Sequence, residues 1–175
     1  MTHAVVAAAL VPVCSVQRMP RRLWAVGVTA AVIPDMDVLG FHFGVAYGDL
    51  LGHRGITHSL LFALMLASLG VLALRAALPA EQRCRAWIFL LLATASHGVL
   101  DACTNGGLGV AFWAPFNATR YFFPVRPIEV SPIGLRRFLD GQAWPVLRSE
   151  FLWVWLPAAA LAGNVLLWQR TRQTR

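Results

Sequence analysis

The sequence contains no lysine; all 15 basic residues are arginine. Charge of either sign is scarce, at 13% of residues against 58% hydrophobic. Soluble domains run near about 45–50% apolar and about 25% charged. A chain of 175 residues is long enough for one domain. It has too little interior to hide that much apolar surface from water, so part of it should face lipid. Acidic residues number only eight, leaving a net charge of +7. A pI near 11.0 raises the question of nucleic acid. The arginines form no single basic stripe, however. They flank apolar segments, as Arg18, Arg21 and Arg22, then Arg75, Arg83 and Arg85, then Arg170, Arg172 and Arg175. That is the signature of membrane topology and argues against a nucleic-acid partner. The three cysteines, Cys14, Cys84 and Cys103, are widely spaced with no CxxC, which excludes a disulfide framework and a zinc ribbon. No basic residues precede the apolar run of "MTHAVVAAALVPVCSVQ", so it reads as a retained helix rather than a signal peptide.

What is present is a series of apolar segments. Gly55 to Leu74 and Phe151 to Trp168 approach the length of a membrane span; Ala4 to Gln17, Leu23 to Pro34 and Ala86 to Leu100 are shorter. The expected fold is all-α: one integral membrane domain over residues 1–175, a small bundle of four to five short or spanning helices. Residues 102–149 are rich in glycine, proline and aromatics and should form an extramembrane lid at the interface, where Trp and Tyr are favoured. Within the lid, "SPIGLRRFLDG" fits a short helix from Ser131, with Pro132 in its first turn and Gly141 after its end. The lid arginines Arg120, Arg126, Arg136, Arg137 and Arg148 blur the topology signal. With the arginine-flanked ends in the cytoplasm, the segments place His3, Asp35, Asp37, His53, His58, His97 and Asp101 on one non-cytoplasmic face.

These are the residues that carry chemistry. His97 and Asp101 are four apart, on one face of a helix, as two ligands of one ion require. Asp35 and Asp37 follow Pro34, which should end the second segment in extended or turn geometry; carboxylates that close repel unless a cation neutralises them. His53 and His58 flank Gly55, and Thr57 or Ser59 is placed to cap the helix that follows. His42 has no acidic neighbour and reads as unimportant. The set is imidazole and carboxylate without thiolate, suiting zinc, and also manganese or iron. Seven candidates exceed one catalytic zinc's needs, so one or two ions are expected. Arg54 would clamp an anion, and Asp35 or Asp37, with Asp37 the catalytic choice, would serve as general base.

The motifs "TH" at Thr2–His3, "PDMD", "HRGITHS", "SHGVLDACTNGG" and "FWAPF" resemble the YdjM-like family of bacterial membrane-bound metal-dependent hydrolases, over roughly residues 1–120. By carry-over, Asp35, Asp37, His53, His58, His97 and Asp101 are that family's motif positions, with His3 a further one. Glu150, in the looser echo "SEFLW", offers another carboxylate, though a helix-start charge is its simpler role. The family's motifs are similar in turn to those of the zinc-dependent phospholipase C and P1 nuclease group, which implies a phosphoester substrate. The expected function is therefore an inner-membrane hydrolase that attacks a phosphoester, including one in a lipid, through one or two metal ions. Trp113, Phe116, Tyr121, Phe122 and Phe123 would either cradle an apolar part of that substrate or simply pack at the interface. The alternative is a metal transporter or sensor using the same cluster without catalysis; the ligand-free far halves of the helices count against it.

Overall fold

Proline and small polar residues punctuate the chain, and helices fill the apolar intervals between them. The computed structural model describes residues 2–15, 18–134, 136 and 138–173. The expectations at Gln17, Arg137 and Arg175 fall outside these. Six α-helices are present among the described residues: α1 (Thr2–Val13), α2 (Arg21–Val32), α3 (Leu60–Ala73), α4 (Ala80–Ala102), α5 (Ala143–Glu150) and α6 (Leu156–Gln173). There is no β-strand among them beyond two isolated bridges, Thr104–Ile128 and Val110–Tyr121. Pro20 and Pro79 stand immediately before α2 and α4, where a fixed φ pre-sets the first turn and the missing N–H leaves no bond unmade.

Central to the bundle is α4, which packs against α1, α2 and α3. Its buried stripe runs Ala86, Phe89, Leu90, Ala93, Thr94, His97, Gly98, Asp101 and Ala102, the period of one helical face. That stripe starts apolar and ends ionisable, so the bundle is layered. Nearest the arginine-flanked end, Val11, Met19, Leu23, Phe89 and Leu90 form the main core. Above them lies an alanine layer of Ala7, Ala31 and Ala93, and above that the polar cluster. The helix at the chain's end joins α1 at both levels. Gln169 Nε2 donates to the Pro12 carbonyl at 3.0 Å, and Trp155 Nε1 donates to Thr2 Oγ1 at 3.0 Å.

Two stretches are long and apolar enough to cross a membrane, Arg21–Phe43 and Ala143–Arg172. The second contains the expected span Phe151 to Trp168; the first was not expected. It arises because α2 does not stop at Pro34 but continues as 3₁₀ turns over Ile33–Phe43. Proline fits there because it stands in the first turn, where its N–H is not needed. Asp35 and Asp37 therefore lie on a 3₁₀ segment rather than in an extended turn. The expected span Gly55 to Leu74 is only half right: α3 has 14 residues, since Gly55–Ser59 folds into a loop and Ser59 Oγ caps the helix by accepting from Phe62 N at 3.1 Å. Ser131–Gly134 is not helical; Arg136 is, and the π-helical stretch Phe138–Gln142 kinks at Asp140 and Gly141 before α5 begins at Ala143. The lid thus gives way to helix before Ser149. A π-helical turn, Phe151–Trp155, links α5 to α6.

The outer faces carry large apolar side chains, including Leu64, Leu69, Ile88, Leu161, Leu167 and Trp168, all exposed. Inside, helix contact relies on small residues, as it does in lipid. A Cβ on Gly27 would stand 2.3 Å from Cε1 of Phe89, which is fully buried. Gly27→Leu is therefore expected to separate α2 from α4 and cost about 1–3 kcal/mol by overpacking. A thermal melt in detergent should read this as a lowered midpoint; an unchanged midpoint would contradict the close packing described.

Candidate metal centre

Four segments converge above the alanine layer. His97 and Asp101 come from the last turns of α4, Asp35 and Asp37 from the 3₁₀ segment, His53, Arg54 and His58 from the loop before α3, and His3 from the first turn of α1. Gly98 makes the convergence possible, because a Cβ there would lie 2.8 Å from the His58 carbonyl oxygen. Arg54 takes a left-handed φ of 64°, a conformation that non-glycine residues rarely hold. Its carbonyl accepts from Ala111 N at 3.0 Å, tying the loop to the lid.

The partners of each imidazole assign its proton. His97 Nδ1 lies 2.7 Å from the carbonyl oxygen of Ala31, which can only accept, so Nδ1 carries the hydrogen and Nε2 a lone pair. Three residues beyond Ala31 stands Pro34, which has no N–H to close a 3₁₀ turn on that carbonyl. For His58, Thr57 Oγ1 donates to Asp37 Oδ2 at 2.7 Å and is 3.0 Å from His58 Nδ1, so that nitrogen donates in turn to Thr57. Nε2 of His58 is again left as the lone pair. Both side chains are fully buried, and neither Nε2 has a hydrogen-bond partner. They face two carboxylates instead. His97 Nε2 is 3.2 Å from Asp35 Oδ1 and 3.8 Å from Asp101 Oδ2. His58 Nε2 is 3.3 Å from Asp101 Oδ2 and 4.0 Å from Asp35 Oδ1. One donor atom from each of Asp35, His58, His97 and Asp101 lies within 4.8 Å of all the others. Two nitrogen and two oxygen donors at that spacing can hold a divalent ion, and a histidine anchored through its other nitrogen is the usual orientation of a ligand.

A second group, Asp37, His53 and His58, satisfies the same spacing. Its members are already bonded to one another. His53 Nδ1 donates to Asp37 Oδ1 at 2.7 Å, and the other Asp37 oxygen accepts from Thr57 and, at 3.3 Å, from Arg54 N. His3 stacks on His97 with ring centroids 3.6 Å apart, and its Nε2 is 3.8 Å from Asp101 Oδ1. His42 is exposed. All seven expected ligands are thus gathered, four around one point, with three beside it.

The geometry gives Arg54 a different task from the one its sequence position implied. Its guanidinium donates to the carbonyls of Gly106 and Leu108, each at 3.0 Å, and to Thr104 Oγ1 at 2.9 Å, while Nε lies 3.2 Å from Asp101 Oδ2. Little is left to clamp an anion; it fixes Asp101 in place. The lid is bound similarly by Arg120, whose guanidinium reaches the carbonyls of His53, Gly109, Tyr47 and Asp49. A cavity of 230 Å³ opens beside the cluster, walled by His3, Asp35, His53, Arg54, Asp101 and Glu150 among others. None of Trp113, Phe116, Tyr121, Phe122 or Phe123 lines it; Val38, Leu100, Ile128, Pro132 and Ile133 supply its apolar part. Sequence reasoning had no access to Ala31, whose contribution is a backbone carbonyl, nor to Arg120, one arginine among several in the lid. Thr57 was legible only as a cap.

Comparison with known proteins adds identity to this geometry. A family model described as "YdjM inner membrane protein" matches residues 1–173, well past the motifs near the N-terminal two thirds. The inner membrane protein YbcI of Escherichia coli strain K12 is 42% identical over 173 residues, covering 96% of this chain and 98% of that protein. No solved structure matches the chain. On a match that spans both helices long enough to cross a membrane and every residue of the cluster, the chain belongs to the YdjM inner membrane protein family.

Proposed function

We propose that this chain is a multi-pass inner-membrane hydrolase that uses one divalent metal ion, zinc by its donor set, to cleave a phosphoester. The observation that carries the reading is the pair of orphaned nitrogens, His58 Nε2 and His97 Nε2, buried without a hydrogen bond and facing Asp35 and Asp101 beside an accessible cavity. Buried polar atoms are almost always paired, so two such atoms facing the same carboxylates support a cation site. Zinc accepts two nitrogen and two oxygen donors in tetrahedral geometry, and a site that opens on a cavity leaves room for a further ligand. A bound divalent cation supplies Lewis acidity and makes hydroxide available near neutral pH.

The chain's own residues divide the remaining tasks. His58 and His97 hold their lone pairs in place through Thr57 and the Ala31 carbonyl. Asp37 is 1% exposed in its side chain and fully bonded, so it positions His53 and His58 rather than acting as a base in the cavity. Asp35, 44% exposed, and Asp101 are the carboxylates of the set that line the cavity, and Asp35 is the more open of the two. The phosphoester assignment rests on the family's motif likeness to phosphoester-cleaving zinc enzymes. Transport of the metal would need a polar path toward the arginine end, whereas the alanine layer and the core beneath it are clusters of apolar side chains.

Protein purified in detergent is expected to retain about one divalent ion per chain by metal analysis. His97→Ala and Asp101→Ala should abolish retention, while Asp37→Asn should weaken affinity about 10- to 100-fold without abolishing it, as loss of an orienting partner does. Hydrolysis of phosphomonoester, phosphodiester or phospholipid substrates should vanish with chelator and return on adding the metal back. An ion-loaded protein that cleaves none of these would overturn the hydrolase reading and leave a metal-binding membrane protein.

A further inference from the structure

Helix geometry fixes how deep the cluster lies. In α4, Arg85 stands at the arginine-flanked end, and His97 and Asp101 follow 12 and 16 residues later. At about 1.5 Å per residue they are roughly 18 and 24 Å above that level. Along α3, Leu60 to Ala73 is 14 residues, or about 20 Å, with His58 just before its start and Arg75 just past its end. From Arg170 to Glu150 is 20 residues, about 30 Å. The hydrocarbon of a bilayer is about 30 Å thick. With the arginines at one edge of it, Glu150 lies near the other edge, and His97 and Asp101 lie about 12 and 6 Å beneath.

The outer surface at the cluster's end agrees with that placement. Phe43 and Phe116 are each 85% exposed, Trp144 is 74% and Val125 is 71%. Side chains of this size facing open water would be an aggregation hazard, whereas headgroups and upper acyl chains accommodate them. One wall of the cavity, at Glu150, belongs to the long helix Ala143–Arg172, of whose most apolar window only 6% is buried. The cavity therefore borders on lipid. Val38, Leu100, Ile128, Pro132 and Ile133 line it beside the acidic groups. Its 230 Å³ is smaller than pockets that enclose a drug-sized ligand, so it suits a headgroup-sized part of a molecule whose chains remain outside.

We infer that the site is submerged and entered from the bilayer, and that its substrate is a lipid phosphoester delivered by lateral diffusion, not a soluble one. This rests on the hydrolase reading above and narrows its substrate class. A phosphate ester in water and one on a lipid present the same oxygens to the ion; depth and the lipid-bordered wall select the second.

The test uses the full chain in phospholipid nanodiscs, its site filled with paramagnetic Co²⁺, and phenyl phosphate added to the water phase. Zn²⁺-filled protein is the diamagnetic reference, so no destabilising variant is needed. Phosphorus and carbon NMR should lose intensity, in the cobalt sample alone, at the lipid phosphate and glycerol-ester carbons, with phenyl phosphate unaffected. Asp35→Asn, at a half-exposed ligand, should remove the effect together with the cobalt. Broadening of phenyl phosphate alone would overturn the lipid assignment while leaving the hydrolase reading intact. Cobalt bound with neither phosphate affected would overturn the bilayer-entry inference. Failure to bind cobalt would remove the metal centre on which both rest.

Discussion

Carboxylates and imidazoles withdrawn from water keep their charge only where hydrogen bonds or opposite charge replace hydration. Every element at the upper end of this bundle answers to that requirement. Asp37 satisfies it within the protein, taking bonds from His53, Thr57 and the Arg54 backbone. Asp101 draws on the Arg54 side chain, which in turn is held by carbonyls of the lid. His58 and His97 are each satisfied on one nitrogen and left open on the other, on the side where Asp35 and Asp101 converge. With His3 Nδ1 and Arg54 Nε, these two nitrogens are the buried side-chain polar atoms without a hydrogen bond among the described residues.

That requirement explains why the fold departs from regular helix where it does. A continuous α-helix through residue 35 would rotate the aspartates away from α4, whereas 3₁₀ turns after Val32 swing Asp35 toward His97 and Asp37 toward His58. The lid is less a cover than a counterweight, since Thr104, Gly106 and Leu108 occupy Arg54 from one side and Arg120 grips the site loop from the other. The π turn at Phe151–Trp155 belongs to the same end, bringing Glu150 to the cavity wall and Trp155 to Thr2.

How much of this could be read beforehand depended on whether the signal lay in side chains or in backbone. The four-residue spacing of His97 and Asp101 was legible because α4 is regular there, and the one-face grouping followed from arginine placement. Pro34 misled, since proline after an apolar run reads as a stop and the length of a 3₁₀ segment leaves no trace in residue type. Hydropathy counted Gly55–Ser59 into a membrane span because loops that fold around a site can be as apolar as helices. The role of Arg54 was hidden because its partners are carbonyls about 50 positions away, and peptide oxygens look the same at every residue.

The stripe on α4 has one more consequence. Core residues Phe89 and Leu90 and candidate ligands His97 and Asp101 share a single angular register on one rod. Inserting or deleting one residue between Ala93 and Thr94 would turn the ligands by about 100° relative to the core. The helix could then keep its packing or its coordination, never both. Chains built this way drift by substitution and are closed to length change in that turn, which makes its length a stricter mark of kinship than its letters.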